Sequence, residues 1–156
     1  MKKLLLIVAA VIFSSAIFAQ GPDFSGSWKL NDTKSTLGAE FSLAPKEVII
    51  AQTGNDMSVE KHSEFQGQSM VSTDKYTLDG KECTNTMFQE MQKKSTCAWS
   101  DDKASLKVVS KMSMGDGGDI TINEVYKLDG ENLVIESTAN SSYGDLIEKM
   151  VYEKKQ

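Results

Sequence analysis

The feature that most constrains the fold is a series of short alternating segments that begins at residue 46. Apolar and polar residues alternate within each segment, and turn dipeptides such as Asp129-Gly130 separate the segments. This pattern is typical of β-strands with one buried face, joined by tight hairpins. No convincing helical period occurs, although residues 33–43 could form a short helix or an irregular loop. With one strand near the start, the pattern predicts ten strands: Ser27–Asn31, Lys46–Gln52, Met57–Phe65, Met70–Leu78, Glu82–Phe88, Lys94–Trp99, Ala104–Met114, Ile120–Leu128, Asn132–Ala139 and Asp145–Glu153.

The hairpin turns predict which residues of neighbouring strands face each other. Two-residue turns at Gly67-Gln68 and at Asp129-Gly130 would pair Ser63 with Ser72 and Tyr126 with Leu133. In this register most large apolar side chains fall on one face. Consecutive antiparallel strands with one apolar face close into a barrel, which removes the exposed edges. We therefore expect one all-β domain, an antiparallel up-and-down barrel of about eight to ten strands, over residues 20–156.

The same inward face also carries an unusual number of polar residues. Burying a polar group without a partner costs free energy, so a filled core would contain few of them. A water-containing cavity explains them, and positions at the barrel rims are the alternative explanation. In the predicted register, Lys61 lies opposite Asp74 and could neutralise it. The inward polar residues are Lys61, Ser63, Ser72, Asp74, Asn85, Ser110, Glu124, Ser137 and Glu148.

Residues 1–19 have the features of a secretory signal peptide. Two lysines precede an apolar run, and small residues follow up to Ala19, so we expect cleavage between Ala19 and Gln20. The apolar run is too short for a membrane span, and no further span follows it. We therefore expect a periplasmic or secreted protein without a transmembrane segment in its mature form.

Charge and cysteine content limit the partners and the chemistry. The chain has a formal net charge of −5 and no arginine, which argues against nucleic acid and anionic membranes as partners. The two cysteines, Cys83 and Cys97, face each other if the intervening bend is symmetric, so we expect a structural disulfide in an oxidising compartment. We expect neither a metal nor a cofactor, because His62 is the only histidine and no metal-binding spacing occurs. No catalytic motif is present, so we expect no enzymatic activity.

Both ends of the domain resemble a known superfamily. Gly26-Ser27-Trp28 resembles the Gly-x-Trp first-strand signature of the calycins, the lipocalin and fatty-acid-binding-protein superfamily. The chain end, Lys149–Lys154, resembles the last strand of the cytosolic fatty-acid-binding proteins. The resemblance implies a barrel that encloses a small hydrophobic ligand. In that family an Arg-x-Tyr pair on the last strand holds the ligand carboxylate; here Tyr152 matches the tyrosine, and Met150 occupies the arginine position.

Our leading interpretation is a barrel that binds a small hydrophobic or amphipathic molecule, such as a lipid fragment, as a monomer or weak homodimer. Apolar burial would supply the affinity, and polar side chains would orient the ligand. The alternative is a filled barrel that acts as a structural or interaction module of the cell envelope. Its contact surface would be formed by the outward residues Ile49, Val109, Val125, Val134, Ile147 and Val151. The candidate ligand-binding residues are Lys61, Asp74, Tyr76, Trp99, Met112, Glu124, Tyr126, Glu148, Met150 and Tyr152.

Overall fold

The computed structural model describes residues 21–65, 67–86, 91–114 and 118–156. The ten strands in these ranges form one antiparallel sheet. The sheet curls into a nearly closed up-and-down barrel, so the predicted all-β fold is confirmed. The predicted signal peptide lies outside the described residues and stays a prediction. The ten strands are β1 (Gly26–Leu30), β2 (Glu47–Thr53), β3 (Asp56–Phe65), β4 (Gln68–Thr77), β5 (Asp79–Thr86), β6 (Gln92–Trp99), β7 (Ser105–Ser113), β8 (Asp119–Asp129), β9 (Asn132–Ser141) and β10 (Gly144–Lys154).

The barrel closes by pairing β1 with β10, and it stays open between β4 and β5. The sheet order is β4-β3-β2-β1-β10-β9-β8-β7-β6-β5, so β4 and β5 are its two edges. A side-chain amide partly replaces the missing ladder: Asn85 accepts a bond from the Lys75 N–H at 2.8 Å and donates one to the Lys75 carbonyl at 3.0 Å. These bonds satisfy backbone groups that an open edge would expose.

The hairpin registers differ from the predicted ones by two residues, and the inward face is unchanged. Ser63 pairs with Met70, and Tyr126 pairs with Ile135. In the β8–β9 hairpin the two-residue turn is Gly130-Glu131, and Gly130 supplies the positive φ of 60° at its first position. Because side chains alternate with a period of two, an error of two residues moves no side chain to the other face.

Aromatic side chains close one end of the barrel, which we call the base. The N-terminal segment runs to Phe24, whose ring stacks on Trp99 with 5.8 Å between ring centroids. The Trp28 indole N–H donates to the Phe24 carbonyl at 2.9 Å, and Trp28 is only 3% exposed. Phe24 is fully buried, and burying a phenylalanine side chain contributes about 1.5–3 kcal/mol. The base is therefore a filled apolar core.

The opposite end, which we call the mouth, is bounded by an irregular segment between β1 and β2. This segment, residues 31–46, we call the strap. Because β1 and β2 are short, the strap completes the wall between β3 and β10 in the mouth half, and it is tied there by a bridge between Thr36 and Lys149. The sequence left a short helix or an irregular loop open for residues 33–43, and the strap is an irregular loop. Among the described residues, no helix is long and apolar enough to cross a membrane.

The predicted disulfide is absent from the structure, where Cys83 and Cys97 are both free thiols. The register between β5 and β6 differs by two residues from the assumed one, so Cys83 pairs with Ser95. Cys97 lies two residues further along β6, diagonal to Cys83 and not opposite it. The assumption that Cys83 and Cys97 lie directly opposite each other was therefore wrong.

Thiol labelling should separate the two cysteines in the native protein. Cys83 is half-buried, whereas Cys97 is 1% exposed and burial raises its thiol pKa to about 12. Since the thiolate is the reactive form, Cys83 should label first and Cys97 only after denaturation. Mass spectrometry after alkylation without a reductant measures this. Finding no label on either cysteine in the denatured protein would show that a disulfide had formed.

Candidate ligand-binding site

A ring of inward polar side chains crosses the barrel at mid-height, with at least one residue from each of the strands β3 to β10. The strand registers place them side by side: Glu124 faces Ser137, which in turn faces Glu148. Seven of the nine are buried, and every fully buried side-chain nitrogen and oxygen in the described part of the chain has a hydrogen-bond partner. We call this ring the polar belt; it consists of Lys61, Asp74, Asn85, Lys93, Ser95, Ser110, Glu124, Ser137 and Glu148.

Four belt residues form a compact ion cluster. The Asp74 carboxylate lies between two ammonium groups, with its Oδ2 atom 2.5 Å from Lys93 Nζ and 3.7 Å from Lys61 Nζ. Lys61 Nζ also donates to Glu124 Oε1 at 3.0 Å. The two positive and two negative formal charges cancel. Matching charges in this way offsets the cost of removing them from water.

The protonation equilibria reflect both burial and charge. Burial raises the pKa of Asp74, but Lys61 and Lys93 outweigh it, and the pKa lies below its ordinary value. Burial also lowers the pKa of Lys93, and the neighbouring Lys61 charge lowers it further. Burial would lower the pKa of Lys61 as well, but Glu124 and the other acidic groups around it raise the pKa well above its ordinary value. Asp74 and Lys61 are therefore both held in their charged forms, and each contacts two groups of opposite charge.

Two tyrosines complete the cluster from the base side. The Tyr76 hydroxyl donates to Asp74 Oδ2 at 3.1 Å, and the Tyr126 hydroxyl contacts Glu124 Oε1 at 3.5 Å. Both side chains are buried, and burial raises the pKa of both phenols well above its ordinary value. The tyrosines therefore act as neutral hydrogen-bond donors beneath the carboxylates.

Glu148 is a separate belt carboxylate that binds the strap. Its Oε1 accepts from the Gly38 N–H at 2.9 Å, and its Oε2 accepts from the Leu43 N–H at 3.1 Å. A side chain at position 38 would overlap the carbonyl oxygen of Phe41, so the tight path of the strap requires glycine there. The strap is thus fixed to β10 by a buried carboxylate.

Above the belt, the inward face of β8 and β10 is apolar and only partly covered. Ile120, Ile122 and Leu146 point inward on β8 and β10 but are half-buried, unlike the fully buried residues on the base side. Met70 also lies on the inward face, and it is 41% exposed. Solvent therefore reaches the barrel interior in the mouth half. Other exposed apolar side chains border the same end: Phe41, Leu43, Val71, Met114 and Tyr143.

Two open grooves on the barrel wall include none of the four ions of the cluster. One, of about 410 Å³, lies along the β4–β5 opening and includes Met57, Tyr76 and Cys83. The other, of about 470 Å³, lies beside the strap and includes Ile147 and Glu148. Neither groove includes Lys61 or Asp74. The described residues also contain no group of three His, Cys, Asp or Glu side chains that could hold a metal ion.

The structure brings together only part of the predicted site. Lys61, Asp74, Glu124 and the two tyrosines Tyr76 and Tyr126 form one connected cluster. The remaining predicted residues are dispersed. Trp99 packs at the base; Met112 lies above the belt, opposite Lys93; Glu148 binds the strap; and Met150 and Tyr152 contact each other at 3.4 Å between the hydroxyl and the sulfur atom.

Sequence reasoning missed Lys93 and Ser95, which are both buried in the belt. The predicted strand began at Lys94, one residue too late to include Lys93. Trp99 and Cys97 were already assigned inward, and the same alternation extended backward reaches Ser95 and Lys93. The period-two signal was therefore sufficient to find both residues.

The outward residues considered as a contact surface do not share one environment. Val134 and Val151 are buried within the protein, at 2% and 7% exposure. Ile147 is 71% exposed, whereas Ile49, Val109 and Val125 are half-buried. Of these six residues, Ile147 is therefore the one that is strongly exposed. Isolated exposed apolar side chains are ordinary on protein surfaces.

Removing the Asp74 charge should destabilise the protein in a pH-dependent way. Asp74→Asn leaves the buried Lys93 without its carboxylate, so we expect the free energy of unfolding to fall by about 3–5 kcal/mol near neutral pH. Because the Asp74 pKa is lower when folded, its stabilisation is complete above the unfolded pKa and is lost as the pH falls through the folded pKa. The difference from wild type should therefore shrink in acid. Urea unfolding between about pH 7 and pH 2 measures it, with Asp145→Asn as an exposed control; a constant difference would contradict the assignment.

Glu148→Gln should loosen the strap without opening the base. The amide keeps one acceptor oxygen but loses the second, so a charge-assisted bond worth about 1.5–3 kcal/mol is lost. We expect faster hydrogen exchange at the Gly38 or Leu43 amide, measured by NMR, with unchanged exchange in β7. Glu136→Gln on the outer wall is the matched control. Unchanged exchange at both strap amides would show that Glu148 does not hold them.

Comparisons with known proteins agree with the barrel geometry. No family model matches the chain, and no curated protein matches its sequence significantly. The zebrafish ileal bile acid-binding protein, solved with cholic acid, matches with a TM-score of 0.59 and 17% identity, over 85% of this chain and 98% of that one. Fatty-acid-binding protein 1 of Echinococcus granulosus matches with a TM-score of 0.56 and 14% identity, over 85% and 98%. The REP1-NXSQ fatty acid transporter gives 0.54 and 14%, over 85% and 96%. This chain therefore has the calycin-like barrel fold that these fatty-acid-binding and bile acid-binding proteins share.

Proposed function

We propose that this protein is an exported, non-catalytic binder of a small hydrophobic or amphipathic molecule, held in the mouth half of the barrel. The observation that carries the proposal is the inward apolar surface above the polar belt. Ile120, Ile122 and Leu146 point into the barrel, yet they remain half-buried, whereas the base is filled. Apolar surface that is concave and accessible to solvent gains free energy when a ligand covers it.

The belt gives this surface a polar floor. A ligand entering from the mouth meets apolar side chains first and the ion cluster at the bottom, which suits a molecule with one apolar and one polar end. The names of the structurally similar proteins, which refer to fatty acids and a bile acid, support the same ligand class.

The cellular location in this proposal rests on the leader sequence. Residues 1–19 have the charged start, apolar run and small residues of an export signal. A periplasmic or secreted monomer would meet lipid-like molecules outside the cytoplasm. Size-exclusion chromatography of the mature protein tests the oligomeric state directly.

The binding proposal is tested with a neutral fluorescent probe, Nile red. We expect saturable fluorescence enhancement with the mature, delipidated protein. Ile122→Gln should weaken the affinity by about tenfold, because it places an amide on the apolar lining. Ile147→Gln, the same substitution on the outer wall, should have no effect. No saturable binding, or equal loss in both variants, would contradict a site in the mouth half.

A further inference from the structure

The polar belt also indicates what head group the ligand carries. Resting on the binding function proposed above, we propose that the barrel selects an amphiphile with an uncharged, hydroxyl-bearing head group over one with a carboxylate. The selection follows from the charge balance of the belt and from the donors that remain available at its upper surface.

The ion cluster has no excess positive charge to receive an anion. Lys61 is paired with Glu124 at 3.0 Å, and Lys93 is paired with Asp74 at 2.5 Å. The fifth belt ion, Glu148, is negative and is already bound by two backbone N–H groups. A ligand carboxylate would therefore add an unmatched negative charge beside two existing carboxylates, and burying an unpaired charge is strongly unfavourable.

The inward face of the last strand offers no cation beside the belt either. Met150 carries no charge, and the neighbouring Tyr152 hydroxyl donates to the Pro45 carbonyl at 3.1 Å. That tyrosine is fully buried and its donor is in use, so it is not free to hold a ligand oxygen. The whole chain also contains no arginine.

A hydroxyl group, in contrast, fits the belt without changing its charge. Lys61 has the most exposed side chain of the four ions, at 16% against 10% or less for the others. Its ammonium has three N–H donors, and in the described residues it contacts two carboxylates, which leaves one donor for a ligand. A hydroxyl can accept from Lys61 and donate to Glu124 or to Ser137, which faces Glu124 across the β8–β9 pair.

The test compares three ligands that share one eighteen-carbon chain: monoolein, oleate and oleylamine. Each displaces Nile red from the wild-type mature protein near neutral pH, below the critical concentration for aggregates of each lipid. We expect monoolein to bind at least about tenfold more tightly than oleate, and oleylamine to bind more tightly than oleate because it adds no negative charge to the belt. Equal affinities of monoolein and oleate, or tighter binding of oleate than of either other lipid, would overturn the head-group inference.

A charge variant then tests the cause of the selection. Glu124→Gln gives the ion cluster a net charge of +1, so oleate affinity should rise by about tenfold relative to the affinity for monoolein, whose hydroxyl also contacts this position. Glu136→Gln makes the same substitution in an ion pair with Lys127 on the outer wall, and it should leave both affinities unchanged. Equal changes in the two variants, or no change in oleate affinity, would show that the belt charge does not set the selection.

These experiments distinguish failure of the binding function from failure of the head-group inference. If Nile red and all three lipids fail to bind the folded wild-type protein, the binding function itself is wrong. If they bind but oleate is preferred, the binding function stands and the head-group inference is wrong. The comparison on wild type needs no variant, so it decides the inference even if Glu124→Gln does not fold.

Discussion

The structure depends on the pairing of Asp74 with two inward lysines, Lys61 and Lys93. A charge inside a β-barrel is unfavourable unless an opposite charge and hydrogen bonds accompany it. Asp74 meets this requirement with Lys61, Lys93 and the Tyr76 hydroxyl, all of them on neighbouring inward positions. Because β4 and β5 share no ladder, the contact between Asp74 on β4 and Lys93 on β6 also ties the two sides of the opening together.

The same pairing divides the barrel interior into two unlike halves. On the base side, the core is apolar and filled, and Phe24, Trp28 and Trp99 pack in it. On the mouth side, the apolar lining is incomplete, and the strap fixed by Glu148 forms part of the wall. The base supplies stability and the mouth half supplies accessible surface, so the belt separates a structural region from a binding region. A ligand would therefore enter only as deep as the belt allows.

The fold could be predicted from the sequence because strand alternation and hairpin turns are local signals. The inward face was predicted correctly even where the register was wrong. Ser63 pairs with Met70 and not with Ser72, and an error of two residues keeps each side chain on the same face. Three of the four ions of the cluster were predicted. Lys61, Asp74 and Glu124 were placed on the inward face, although Lys61 and Asp74 are not directly opposite. Lys93 was lost to a strand boundary.

Long-range contacts explain why the anchoring of the strap and the relative positions of the two cysteines were not predicted from the sequence. Nothing local in residues 31–46 signals that two strap amides bind a carboxylate on β10, more than a hundred residues away. The register that places Cys83 opposite Ser95 likewise depends on how β5 meets β6, which has an irregular register between Asp79 and Glu82. Turn residues alone do not determine such a register.

Methyl NMR during titration with monoolein tests the central claim most directly, because it locates the ligand relative to the belt. The account predicts contacts between ligand protons and the methyl groups of Ile120, Ile122 and Met112, with none to Val108 or Leu133 below the belt. Contacts to the base methyls, or to Ile147 on the outer wall in place of the lining, would contradict the division of the barrel at the belt.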